Sequence, residues 1–203
     1  MPGFTRGFTG RRRDDHGGRL PPGQYDTGDS WPVLSAEITP QLGTEDWTFT
    51  VDGLVDEPTT WTWEQLQALP HSTYAGDIHC VTTWSKFDMT FTGVSVDLLL
   101  GAARPDSTAT HVLARSTTGY TTNLPLDDVT GGKAWVTWAV DGAPLPAEHG
   151  GPARLLVPHL YFWKSAKWVS GIEVLDHDQR GFWEQNGYHD RGDPWLEQRY
   201  HGD

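Results

Sequence analysis

Alternation of apolar and polar residues predicts β-strands along most of this chain. Residues 47–53 alternate aromatic or β-branched side chains with polar ones and end in Asp-Gly, which is typical of a strand followed by a turn. Further segments with strand character are residues 72–81, 111–116, 134–140, 153–157 and 168–175.

Two short segments between these strands predict helices. The first, residues 62–70, begins with a capping-box pair, Thr62 and Gln65, and ends at a proline. The second covers residues 94–102, and residues 176–203 carry loop signals with little periodicity. Strands with a few short helices between them predict the α+β class with mixed sheets.

The length and charge of the chain limit its organisation and its partners. We expect residues 1–18, rich in Gly and Arg, to form a flexible arm, and residues 19–203 to form a single domain. Lys and Arg number 15 against 27 Asp and Glu, which gives a formal net charge of -12. Nucleic acid and anionic membrane surfaces are therefore not expected partners.

The chain contains no apolar run long enough to span a bilayer. The triplet Arg11-Arg12-Arg13 resembles the start of a twin-arginine export signal, but polar residues and glycines follow it instead of an apolar stretch. We therefore expect no export, and a single cysteine fits the reducing cytoplasm.

The only cysteine, Cys80, is the most informative residue for chemistry. One cysteine cannot form an internal disulfide or a multi-cysteine metal cage. Cys80 is therefore a buried structural thiol, a nucleophile, or the lone protein ligand of a metal whose other ligands come from a cofactor.

A second feature is a local inversion of charge. Residues 149–172 contain Arg154, Lys164 and Lys167 and no acidic residue, in a chain that is strongly acidic overall. This composition suits the binding of one compact anion such as a phosphate. The alternative interpretation is a solvated basic strand edge.

Three motifs in this order resemble the molybdopterin-binding domain of the sulfite oxidase superfamily. They are Asp-Ile-His-Cys-Val-Thr-Thr-Trp-Ser at residues 77–85, Gly-Tyr-Thr-Thr-Asn-Leu-Pro-Leu at 119–126, and residues 149–168 with their Lys-Ser-Ala-Lys-Trp ending. The resemblance begins near residue 19 and is strongest to short bacterial sulfite oxidase-like oxidoreductases, which are relatives of the catalytic subunit of methionine sulfoxide reductase.

The resemblance implies a mixed α+β fold around one molybdenum–molybdopterin cofactor. Cys80 matches the family's motif cysteine, which implies that it is a catalytic residue and binds molybdenum through its thiolate. The pterin dithiolene supplies two more sulfur ligands, so one cysteine is enough.

The resemblance also implies residues that hold the cofactor. Residues of the basic segment match positions that contact phosphate and pterin, namely Arg154, Lys164, Ser165 and Lys167. His149 stands where relatives often have Asn, and residues 31–35 match a stretch that lies against the pterin.

Other positions are less distinctive. Ser116 and Thr117 precede the second motif and are candidates to reach the pterin through their hydroxyls. His79 is either a pterin contact or a structural hydrogen-bonding residue, and a regular strand would direct it away from the side of Cys80. Tyr120 matches the spacing of an active-site tyrosine that stabilises developing negative charge.

The implied chemistry is two-electron oxygen-atom transfer on a small molecule. The Cys80 loop carries Thr82, Thr83, Trp84 and Phe87, which suit a neutral or partly apolar substrate. This composition favours reduction of an S- or N-oxide, with sulfite-type oxidation as the alternative. The chain has no Cys-x-x-Cys-His haem motif, so we expect a separate electron-transfer protein.

Three other interpretations stay open at this point. Cys80 is the nucleophile of a thiol enzyme if His79, His71 or His159 serves as its base. The many tryptophans, 11 in all, also suit a non-enzymatic module that binds sugars or peptides. A zinc site built from the nine histidines is the weakest of the three.

Overall fold

The computed structural model describes residues 16–203. The predicted arm, residues 1–18, lies outside the described residues except for its last three. The described strands are β1 Tyr25–Asp26, β2 Thr48–Gly53, β3 Thr59–Thr62, β4 Ser72–His79, β5 Trp84–Ser95, β6 His111–Ser116, β7 Thr121–Pro125, β8 Trp135–Val140, β9 Ala143–Pro144, β10 Arg154–Leu156 and β11 Val169–Leu175. The α-helices are α1 Trp63–Ala68, α2 Val96–Ala103, α3 Leu126–Val129 and α4 Phe182–Gln185, and 3-10 turns span Ala147–His149, Phe162–Lys164 and Pro194–Leu196.

The strands form two mixed sheets. In the first, the order β1-β5-β8-β10 includes one parallel pair, β1 with β5, while β4 also pairs with β5 and β9 with β8. The second has the order β3-β2-β11-β6-β7, in which β2 and β11 are parallel. Few and short helices accompany these sheets, so the predicted α+β class is confirmed.

The predicted capping box of the first helix is present. The Thr62 side chain accepts a hydrogen bond from the Gln65 backbone N–H, and the Gln65 side chain accepts one from the Thr62 N–H. The second helix begins at Val96, because Ser95 caps it and residues 94–95 belong to β5. The prediction of a helix start at residue 94 was therefore wrong by two residues.

A small apolar cluster supports the end of the β4–β5 hairpin. Ile78, Met89, Phe91 and Leu156 are buried together there with Cys80. A larger core combines residues of the second sheet, of β5, β8 and β10 of the first sheet, and of the helices α1 and α2. Because the strands on both sides of the turn at residues 80–83 are packed, that turn has a fixed position.

No helix between residues 16 and 203 is long and apolar enough to cross a membrane.

Candidate active site

Backbone hydrogen bonds hold Cys80 at the start of the turn between β4 and β5. Its carbonyl accepts from the Thr83 N–H at 3.0 Å, and its own N–H donates to the Trp84 carbonyl at 2.8 Å. Thr83 adopts a φ of 76°, which is rare for a β-branched residue and typical of strained functional turns. Gln24 adds a hydrogen bond of 3.1 Å to the Cys80 carbonyl. The sequence around Cys80 therefore fixes the direction of its side chain.

The Cys80 thiol lies in surroundings that do not activate it as a free nucleophile. Burial raises its pKa, and hydrogen bonds from Thr82 and Val81 oppose that shift only in part. The Thr82 hydroxyl is 3.2 Å from the sulfur, and no imidazole within residues 16–203 hydrogen-bonds to it. Binding of a soft metal ion lowers the pKa of such a thiol and converts it to the thiolate.

No group of three or more His, Cys, Asp or Glu side chains that suits a metal ion occurs in the described part of the chain. A metal at Cys80 therefore needs ligands from outside the protein. This arrangement favours a cofactor-borne metal over zinc held by side chains alone.

Cys80 faces a cavity of about 270 Å³ that brings most of the predicted site residues together. The stretch at residues 31–35 contributes Trp31, Pro32, Leu34 and Ser35 to its wall. The other predicted residues that line it are Cys80, Tyr120, His149, Arg154, Ser165 and Lys167. Residues far apart in the sequence thus meet at one site, as the three motifs together suggested.

Arg154 is a buried cation in this wall. Only 1% of it is exposed, and its guanidinium donates to the carbonyls of His149 and Ser165, each at 2.7 Å. Its Cζ atom lies 3.9 Å from the centre of the Phe162 ring. Burial lowers the pKa of Arg154, but a guanidinium keeps its charge at neutral pH.

Lys167 is the second cation of the wall. Its ammonium donates to the carbonyls of Leu34 and Glu148, at 2.9 and 2.7 Å. Neither Lys167 nor Arg154 forms an ion pair with a carboxylate of residues 16–203. Lys167 is half-buried, and Glu37 of the same wall and Glu148 are near enough to offset part of its charge. Arg154 is a fully buried cation without a paired carboxylate, which is costly, so this wall is suited to a bound anion.

The charge of Lys167 gives a pH-dependent prediction. Burial, together with repulsion from Arg154, lowers the pKa of Lys167 from 10.5 to about 8 in the folded protein without cofactor. Between these two pH values the unfolded chain binds more protons than the folded one, so the free energy of unfolding rises with pH. We expect urea unfolding of cofactor-free protein to show this rise from pH 8 to 9.5.

The control for that measurement is Lys167→Met, which keeps the length of the side chain and removes the titrating group. The rise should be smaller in this variant. An equal rise in both proteins would show that Lys167 does not cause it.

His149 forms a flat surface with Trp31. Their rings are stacked with centres 3.6 Å apart and planes 7° apart. Burial, with repulsion from Arg154 and Lys167, lowers the pKa of His149 to about 4. The imidazole is therefore neutral at physiological pH and supplies a polar edge without adding a third positive charge.

Lys164 does not line this cavity. It is fully buried and forms an ion pair of 2.6 Å with Glu184, while its ammonium also donates to Asn123 and to the Asp190 carbonyl. These acceptors use all of its donors. The structure thus gives Lys164 a packing role, and the contact with the cofactor implied for it stays a prediction.

Ser116, Thr117 and His79 also lie outside the cavity lining. The Ser116 hydroxyl donates to the Lys167 carbonyl, and Thr117 is exposed. His79 lines a different cavity, and its Nδ1 is 2.8 Å from the Ser85 hydroxyl. The structure therefore supports the structural hydrogen-bond interpretation of His79, on the side opposite to Cys80. Ser165 lines the cavity, but its hydroxyl accepts from the Val157 N–H.

Two tyrosines line the cavity, and they differ in whether the hydroxyl already donates a hydrogen bond. Tyr120 is buried, and its hydroxyl donates to the Trp163 carbonyl at 2.7 Å. Tyr188, which sequence reasoning missed, donates its backbone N–H to the Trp183 carbonyl, but its hydroxyl has no hydrogen-bond partner among the described residues. Burial, Tyr200 and Cys80 all raise the pKa of Tyr188, so its hydroxyl is protonated at neutral pH. Tyr188 is therefore better placed than Tyr120 to donate to a substrate.

Aromatic residues form most of the remaining wall. Trp84 is buried, and its Nε1–H has no hydrogen-bond partner among the described residues. An unpaired buried donor at a cavity points to an acceptor on a bound molecule. The sequence pointed to this wall through Trp84 of the Cys80 loop and through the high tryptophan content. Its members are Trp84, Phe162, Trp163, Trp168, Trp183 and Tyr188.

A thiol beside a flat aromatic surface and two unpaired cations defines a site for an anionic planar cofactor. Residues 36–183 match the family described as oxidoreductase molybdopterin binding domain. The chain belongs to this family and is an oxidoreductase of the sulfite oxidase superfamily.

Individual relatives agree with this assignment. The chain is 44% identical over 196 residues to the uncharacterized oxidoreductase YuiH of Bacillus subtilis, covering 95% of this chain and 98% of YuiH. It is 30% identical to the protein-methionine-sulfoxide reductase catalytic subunit MsrP of Gluconobacter oxydans, covering 68% of this chain and 49% of MsrP. The chain thus spans about half the length of MsrP.

A solved structure shares the fold. The sulfane dehydrogenase SoxCD from Paracoccus pantotrophus superposes with a TM-score of 0.64 at 23% identity, covering 69% of this chain and 41% of the SoxCD chain. The likeness supports the predicted mixed-sheet molybdopterin-binding architecture.

Proposed function

We propose that the cavity holds molybdenum–molybdopterin with Cys80 as its protein ligand, and that the enzyme reduces a small S- or N-oxide. One observation carries the cofactor assignment. A single thiol lines the same cavity as the buried Arg154 and the half-buried Lys167, and neither cation forms an ion pair with a described carboxylate. A molecule that carries sulfur ligands and a phosphate satisfies both features.

Each part of the wall has a task in this proposal. Arg154 and Lys167 would neutralise the anionic part of the cofactor, and the Trp31–His149 pair would pack against its planar part. The unpaired Trp84 Nε1–H would donate to one of its acceptors. When bound, the cofactor supplies two-electron oxygen-atom transfer.

The lining around the thiol supports a neutral substrate. Val81, Thr82, Trp163, Trp183 and Tyr188 carry no charge, and all five line the cavity. Arg154 and Lys167 are the arginine and lysine side chains of this lining, and in the proposal the cofactor neutralises both, so no further cation there is left to bind a sulfite anion. An S-oxide needs one hydrogen-bond donor for its oxygen, which Tyr188 offers, and apolar walls for its substituents.

The proposed reaction needs a source of electrons. Reduction of an S-oxide consumes two electrons and two protons and releases water. Relatives described as subunits of a methionine sulfoxide reductase support a separate electron-transfer partner here. We place the enzyme in the cytoplasm because its single cysteine is unpaired.

The test is a substrate panel with cofactor-loaded protein. Reduced methyl viologen would donate electrons to dimethyl sulfoxide, methionine sulfoxide or trimethylamine N-oxide, and ferricyanide would accept electrons from sulfite in parallel. Turnover of at least one oxide, lost in Cys80→Ser, supports the proposal. Turnover of sulfite at low concentration with no oxide reduction would replace it by the oxidase function.

The two tyrosines give a prediction within this panel. Tyr188→Phe should lower kcat for the oxide by about a hundredfold, which is typical of losing one donor to developing negative charge. Tyr120→Phe should change kcat by less than tenfold and lower stability by about 1 kcal/mol, because its hydroxyl bonds a carbonyl. Steady-state kinetics and urea unfolding of both variants check this, and the reverse order of kcat values would assign the role to Tyr120.

A further inference from the structure

A second cavity lies on the other side of the β4–β5 hairpin, whose turn begins at Cys80. Its volume is about 570 Å³, and His79, which is adjacent in sequence to Cys80, belongs to its wall. Consecutive Cα atoms are about 3.8 Å apart, so one strand end separates the two cavities. The members of the wall are Tyr74, Asp77, His79, Asp128, Gly132, Lys133, Trp135, Pro158, His159, Arg191 and Trp195.

Aromatic rings form part of this wall. The Tyr74 and Trp135 rings are 5.3 Å apart, and both are held in place because Tyr74 donates to the Asp77 carbonyl and Trp135 to Ser72. Trp195 packs edge-on against His79 at 6.0 Å, yet 48% of it is exposed. A large apolar ring left half in solvent at a cavity edge is suited to stacking with a planar ligand.

The acidic side chains of the cavity are already neutralised. Asp128 accepts from Arg191 at 2.9 Å and lies 3.1 Å from the His159 Nε2. Burial raises the pKa of Asp128, but the hydrogen bonds from His159 and Arg191 outweigh this effect and lower it overall. Asp77 forms an ion pair with Arg19.

A cation with free donors remains at this cavity. The exposed Lys133 ammonium donates to the Asp127 carbonyl at 2.7 Å and has no carboxylate partner within residues 16–203. The Arg191 guanidinium bonds Asp128 through Nε and Nη2 and lies 3.9 Å from the Asp193 carboxylate, and it keeps N–H groups that form no hydrogen bond to either. In a chain of net charge -12, these groups form a local site for an anionic group.

Hydrogen bonds connect this cavity to the candidate molybdenum ligand. His79 Nδ1 is 2.8 Å from the Ser85 hydroxyl, which donates to the Gln24 side-chain carbonyl at 3.4 Å. Gln24 in turn donates to the Cys80 carbonyl at 3.1 Å. These buried side chains form a continuous path through the hairpin.

We propose that the second cavity binds a planar, anionic redox carrier of the flavin mononucleotide class and is the place where electrons enter. Trp195 would stack on the flavin ring, and Lys133 and Arg191 would bind its phosphate. The electron-entry role rests on the proposed function. Its balance is complete, because the reduced flavin gives two electrons and two protons, and the S-oxide is converted to sulfide and water.

The first test measures binding alone. Titration of flavin mononucleotide followed by its fluorescence should show saturable binding, also in Cys80→Ser, because the site does not include the thiol. Lys133→Ala should weaken binding about tenfold, as expected for one charge-assisted hydrogen bond, and should leave the weaker binding of riboflavin unchanged. Trp195→Leu should weaken the binding of both flavins.

Matched controls come from residues that line neither cavity. Tyr25→Leu removes an aromatic ring of 49% exposure, and Lys86→Ala removes one positive charge. Both controls should bind like the unchanged protein. The inference is overturned by absent flavin binding, by equal binding of adenosine monophosphate, or by variants of the second cavity that bind like the controls.

The second test separates this inference from the proposed function. With cofactor-loaded protein, Trp195→Leu should lower oxide reduction supported by reduced flavin mononucleotide and leave reduction supported by viologen unchanged. Loss of both rates, or of neither, contradicts electron entry at this cavity. Absence of viologen-driven oxide reduction in the unchanged protein contradicts the proposed function instead, while the binding result stands by itself.

Discussion

Cys80→Ser is expected to lose its molybdenum-dependent turnover by more than the roughly 100-fold that changes in the outer coordination shell cost. A serine hydroxyl is nearly isosteric with the thiol, but it is a harder ligand that does not ionise at neutral pH. The variant should therefore fold normally and fail in its chemistry. Oxide reduction with a viologen donor, together with urea unfolding, measures both properties.

Thr82→Val is the matched control for this substitution. It removes the hydroxyl 3.2 Å from the Cys80 sulfur and keeps the thiol. We expect it to retain turnover within about tenfold, as for the loss of one hydrogen bond. If Cys80→Ser kept as much activity as Thr82→Val, Cys80 would not be the metal ligand.

Lys164→Met is expected to destabilise the cofactor-free protein by about 3–5 kcal/mol. The substitution leaves the Glu184 carboxylate buried without its ion-pair partner, since both side chains are fully buried. One oxygen of that carboxylate has no hydrogen-bond partner among the described residues even with Lys164 in place. Urea unfolding of cofactor-free protein measures the loss.

The double variant Lys164→Met with Glu184→Gln distinguishes the cause. Removing the buried charge as well should recover a substantial part of the lost stability. Lys167→Met should instead spare the cofactor-free protein and lower cofactor content. Unchanged stability in Lys164→Met, combined with lost cofactor, would show that Lys164 binds the cofactor after all.

Hydrophobic patterning located six of the eleven strands in the described part of the chain, and the alternation is clearest in β2, where Phe49 and Val51 are buried and their neighbours are not. It failed for β5, Trp84–Ser95, although this is a strand of 12 residues. Asp88 there has a φ of 55°, and the pairing with β4 and with β8 shifts register, so the period of two is interrupted. Such irregularities follow from the positions of neighbouring strands and leave no regular pattern in the sequence.

The site residues also fall into those that the sequence predicted and those that only the structure shows. Cys80 belongs to the first motif, Arg154 and Lys167 belong to the third, and all three line one cavity. Lys164 and Lys167 both belong to the basic segment, and composition alone does not tell which of them reaches the cavity. In the structure, the 3-10 turn at Phe162–Lys164 directs Lys164 away from it. Tyr188 and Trp183 come from the segment without periodicity, and only the folded chain shows that they reach the cavity.

The most direct test is the molybdenum content of the purified protein, measured by mass spectrometry after production in a host that makes the cofactor. We expect close to one molybdenum per chain, a lower content in Lys167→Met and an unchanged content in Lys86→Ala. Protein from such a host that is folded and active but contains no molybdenum would contradict this expectation.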